Sequence, residues 1–145
     1  MNASELVQQV MEHPQLLSQH IALVEKLPPD EALAIVPKLV QAFHDHKLWP
    51  KDAAGIIAAC RPTDAQLLVI LSYDDERSQK LGMHVVANLI GNQDFAQRNH
   101  VKLAHKVVCL SQSEPFRPKR KGMRELLKWA KKIIAESEPA DRLGS

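Results

Sequence analysis

Glycine is scarce in this chain: five among 145 residues, at 55, 82, 91, 122 and 144. None stands at the spacing of a phosphate-cradling loop, so neither a P-loop nor a dinucleotide-binding turn can be read from them. Cysteine is scarcer still. Cys60 and Cys109 are too few for a disulfide scaffold, and no Cys-x2-Cys pair supplies half of a zinc site. Both fall in apolar helical patterns, which predicts buried thiols in a reducing compartment. Two tryptophans, one tyrosine and three phenylalanines leave no interleaved platform on which the bases of a single strand would stack. Apolar runs stop at five residues, Leu67 to Leu71 among them, against the ~20 that a membrane-spanning helix needs. Met1 to Glu5 carries neither a basic nor an apolar leader pattern, so the expectation is a cytoplasmic protein without a secretory signal.

What is present favours helix. Alanine, leucine, glutamine and lysine dominate, and all are good helix formers. Proline and acid mark one helix start after another. Ser4 opens a first helix with Leu6, Val7, Val10 and Met11 on one face. Pro14 ends it and begins a second, through Leu16, Ile21 and Val24. Pro29, Asp30 and Glu31 begin a third, carrying Ile35, Val36, Leu39 and Phe43, with Pro37 expected to kink it. Trp49-Pro50 begins a fourth, with Trp49 expected to fill the gap between helices. Pro62-Thr63-Asp64 begins a fifth, apolar all round from Leu67 to Leu71 and so expected to be the most buried. Asp74-Asp75-Glu76 reads as a cap and acidic first turn for a sixth, stopped by Gly91. Asp94 with Gln97 resembles a capping box for a seventh, running through Val101, Ala104 and Val108. After an aperiodic stretch with two prolines, an eighth carries Met123, Leu126, Leu127, Ala130 and Ile134. Leu68, Leu71, Val85, Val86, Leu89 and Val108 are the expected core.

The expected fold is therefore all-α. About eight helices would stack as antiparallel hairpins, HEAT-like or in another right-handed superhelix, in a single domain over residues 1–136 with a frayed tail at 137–145. Pro29 to Val36 can be laid on Pro62 to Val69 at an offset of 33 residues, four of eight positions being identical or acid for acid. This is the period of helical solenoids. The same match can also arise from the shared grammar of two helix starts, and the tetratricopeptide aromatics are absent.

Seven histidines invite a metal reading, but His44 and His46 are two apart and His100 and His105 five apart, neither a one-face helical spacing. His44 and His46 are expected instead at a helix C-terminus, where a cation complements the dipole. No cofactor is expected. Charge supplies the one sharp asymmetry. Residues 101–132 hold ten Lys or Arg against two Glu, a net of +8, while residues 1–100 carry a net of −4. Arg117, Lys119, Arg120, Lys121, Arg124, Lys128, Lys131 and Lys132 form a basic stripe, suited to a polyanion or an acidic partner, and equally to plain solvation. Trp129 lies beside it as a candidate interface anchor. The expected function is a non-enzymatic module that binds another protein. The alternatives are nucleic-acid association through residues 117–132 and an enzyme whose site is not visible in sequence. No membrane partner is expected.

Overall fold

The computed structural model describes residues 3–13, 15–45, 48–92, 94–95, 100–112 and 121–137, with the side chains of Ala3, Lys51 and Lys121 excepted. The fold is all-α, and among the described residues there is no strand. In chain order the helices are α1 Ala3–Glu12, α2 Leu17–Glu25, α3 Pro29–His44, α4 Pro50–Ala59, α5 Asp64–Leu71, α6 Glu76–Leu89, α7 Val101–Ser111 and α8 Lys121–Ser137. None of them is long and apolar enough to cross a membrane. The chain divides into two compact units, Met1–Asn88 and Leu89–Ser145.

In the first unit α1 packs on α2 and α3, and α4 packs on α2 and α3. The prolines act as the sequence predicts at α3 and α4, whose first residues are Pro29 and Pro50. α2 instead begins at Leu17, and Pro14 lies outside the described residues. Pro37 does not divide α3, which runs as one helix. A proline lacks the N–H that would pair with the carbonyl four residues back. Here that carbonyl belongs to Leu33, and Gln66 Nε2 donates to it at 3.0 Å. The same glutamine closes a capping box at the start of α5. Its Oε1 accepts from Thr63 N at 3.2 Å, and its N–H donates to Thr63 Oγ1 at 3.2 Å. One side chain thus caps its own helix and repairs a neighbour.

Several burial expectations are corrected. α5 is not buried all round: Leu67, Ile70 and Leu71 face the core, Leu68 is half-buried and Val69 is 60% exposed. A helix this short has too few packing partners to cover its whole circumference. Cys109 is exposed, whereas Cys60 is buried. Val85, Val86 and Leu89 are buried as expected.

In the second unit α7 packs on α8. Leu103, Ala104, Val107 and Leu110 meet a face that includes Leu126, Ala130 and Ile133. The buried face of α7 is turned by one position from the expected one, leaving Val108 half-buried. The cap before it is also different. Asn92 Oδ1 accepts from Asp94 N at 2.8 Å and Phe95 N at 3.4 Å. Gln97, the expected capping partner, lies outside the described residues. No glycine among those described takes a left-handed conformation, Gly91 included.

Candidate functional site

The α3–α4 turn is built around Arg77, in the first turns of α6. Its guanidinium lies over the Phe43 ring, 3.8 Å from the centroid. Nη1 donates to Phe43 O at 2.8 Å and Nη2 to Leu48 O at 3.3 Å. One cation therefore caps the end of α3 and clamps the turn that follows. A residue before proline is held in extended backbone, and Trp49 has φ −76° and ψ 147°. Neighbours in extended chain point to opposite sides. Leu48 accordingly sinks to 2% exposure, and Trp49 stands 73% exposed. The residue that fills the gap is Leu48, not Trp49. Trp49 O meanwhile accepts from Ala53 N at 2.9 Å, so the base of the exposed indole is fixed at the first turn of α4.

At the other end of α4 a cleft of about 460 Å³ opens among Val24, Leu27, Leu33 and Cys60, with Glu25 and Arg61 at its polar margin. Burial pushes the Cys60 thiol up to about 12, so it stays protonated and does not act as a nucleophile at neutral pH. Arg61 has φ 55°, the left-handed region, just past the end of α4. That position usually falls to glycine.

Asp75, Ser78 and His44 gather a carboxylate, a hydroxyl and an imidazole, but not in catalytic order. Ser78 Oγ donates to Asp75 at 2.7 Å, and Ser78 N donates to the same oxygen at 2.8 Å. His44 Nδ1 and Nε2 lie 3.4 and 3.5 Å from the hydroxyl, so neither nitrogen is aimed at it. In a hydrolase triad the imidazole takes the hydroxyl proton. Here the carboxylate takes that hydrogen bond, and Ser78 is fully buried. The arrangement is a helix cap. The Ser78 hydroxyl holds the Asp75 carboxyl below the usual aspartate range, with help from the Ser78 N–H and the His44 charge. His44 does sit in the last turn of α3, edge-on to Tyr73 at 4.6 Å. His46 lies outside the described residues. Among the described residues no three His, Cys, Asp or Glu side chains gather to hold a metal ion.

No protein-family model, curated protein or solved structure matches the chain. The remaining candidates stand on geometry alone. Of the basic stripe, Arg124, Lys128, Lys131 and Lys132 are exposed on one side of α8. Arg117, Lys119 and Arg120 lie outside the described residues, as does the Lys121 side chain. Trp129 is half-buried and stacks on Phe95, centroids 5.9 Å apart, while Phe95 stacks on His100 at 4.1 Å. The tryptophan that presents itself to solvent is Trp49. Sequence reasoning missed it: Pro50 marks Trp49 as extended backbone but does not say which of Leu48 and Trp49 faces solvent.

Proposed function

We propose that this protein is a non-enzymatic helical module that binds another protein, with Trp49 as the anchor. The observation that carries the reading is the exposed indole on a clamped turn. Tryptophan is enriched at interface hot spots, and a pre-ordered anchor loses little entropy on binding. Arg77 supplies that order through Phe43 O and Leu48 O. The helix packing supports a stacked-hairpin scaffold. α1 lies on α3 and α2 on α4. Side-chain hydrogen bonds recur at separations of 34 and 33 residues, from Lys38 to Ser4, Gln66 to Leu33 and Arg77 to Phe43. That recurrence suits antiparallel hairpins stacked as in HEAT-like repeats, the architecture of many adaptors. Two free thiols, Cys60 and Cys109, fit a reducing cytoplasm.

The test compares the wild-type protein with Trp49→Ala. Proteins enriched from a cell extract on the immobilised wild type are identified, purified and titrated against both forms. At least one is expected to bind the wild type and to weaken about 30-fold or more on truncation, as for a hot-spot residue. Equal binding to both forms, or no reproducible partner, overturns the reading.

A further inference from the structure

The centre of the apolar side of α8 is already occupied, with Met123, Leu127 and Ile134 half-buried at its margin. Leu126 and Ala130 are fully buried and Ile133 nearly so, in the unit that α8 forms with α7. The other side presents Arg124, Lys128, Lys131 and Lys132, all exposed. Arg124, Lys128 and Lys131 follow one another at spacings of four and three, so they form a single row along the helix. The row extends about 10 Å at a rise of ~1.5 Å per residue. None of these three makes an ion pair among the described residues. Lys132 reaches Glu136 only at 3.9 Å, with both side chains more than half exposed. Such a pair is worth little in water. Glu125 is the other acid on this side.

We propose that the exposed face of α8 binds the phosphate backbone of duplex nucleic acid without reading its sequence. Duplex DNA carries one charge per ~1.7 Å of axis over its two strands, a density of phosphate that a row of cations about 10 Å long can meet along one side. The row holds only arginine and lysine, the residues that contact phosphates, and no asparagine or glutamine that would pair with adenine. Trp129, the only aromatic residue of α8, is engaged with Phe95, which removes the stacking platform that single strands use. An anionic membrane fits less well, because an interfacial helix inserts its apolar face, and Leu126, Ala130 and Ile133 at the centre of that face are buried.

The whole protein is titrated with short labelled duplexes of two unrelated sequences, at low and at physiological salt. Parallel arms use a single strand, polyglutamate and vesicles containing phosphatidylserine. Both duplexes should bind alike, with dissociation constants of about 10⁻⁴ to 10⁻⁶ M at physiological salt. Four contacts predict a slope of log K against log salt of roughly −3.5. The triple reversal Arg124→Glu, Lys128→Glu, Lys131→Glu should weaken binding at least tenfold and flatten the slope by about 3. The matching triple change to glutamine guards against a folding defect, with helix content followed by circular dichroism. No duplex binding at low salt, or unchanged affinity in a folded triple variant, overturns the proposal. Binding as tight to polyglutamate, to vesicles or to the single strand does the same, and assigns the face to that ligand instead.

Discussion

Asp75 shows how much one exposed side chain can contribute when it ends a helix. Its carboxylate accepts from the Ser78 N–H and hydroxyl, two groups of the first turn of α6. Loss of such a cap costs about 1 kcal/mol. The folded state holds this carboxyl below the 3.8 of a free aspartate. The linked stability is therefore present in full above that pH and is lost as pH falls through the depressed folded value. Asp75→Ala should lower unfolding free energy by about 1 kcal/mol at neutral pH. In urea melts at neutral, mildly acidic and strongly acidic pH, the gap between variant and wild type should hold down to about pH 4 and shrink below it. A gap that grows on acidification would contradict the assignment. The acidic cap was legible in the sequence, because Asp74-Asp75-Glu76 precedes a periodic run. The exposure of Trp49 and Cys109 was not legible, since apolar periodicity reports a stripe and not what lies against it.

The helices meet at contacts that single residues decide. Gly82 lies where α6 passes close to α5. A Cβ there would stand 2.6 Å from Leu71 Cδ2 and 3.0 Å from its Cγ. Leu71 is fully buried and has little room to give. Helix propensity alone favours alanine over glycine by about 1 kcal/mol, but overpacking costs roughly 1–3 kcal/mol. Gly82→Ala should therefore lose about 1 kcal/mol net. Gly55, in α4, is the contrasting case. A Cβ there would meet Ile21 Cδ1 at 3.8 Å, an ordinary contact. Gly55→Ala should gain up to about 1 kcal/mol. Denaturant melts of the two variants should move in opposite directions, and a shared sign would show that close approach does not govern α5 and α6. Helix starts at Pro29, Pro50 and Thr63 were readable because proline and caps act within one turn. The Leu33 carbonyl that Pro37 leaves unpaired in α3 is met by Gln66, 33 residues beyond Leu33, and no local pattern announces it.

At the scale of the whole molecule, stability should follow burial rather than hydropathy. Leu68 and Leu71 are both apolar members of α5, yet Leu71 is fully buried and Leu68 half-buried. Leu71→Ala should cost about 2–5 kcal/mol, with Leu68→Ala near the low end or below it. Equal midpoint shifts in urea would mean that the faces of α5 are misplaced. The sequence by itself determined the helical class, most helix starts and the concentration of positive charge after residue 100, because these arise from interactions within a few residues of one another. Only the tertiary structure decided which side of each stripe is covered, that Leu48 turns inward while Trp49 faces solvent, and that Arg77 and Gln66 bridge helices distant in the chain. Those outcomes depend on partners brought together by folding, and a one-dimensional pattern holds no record of which partners arrive.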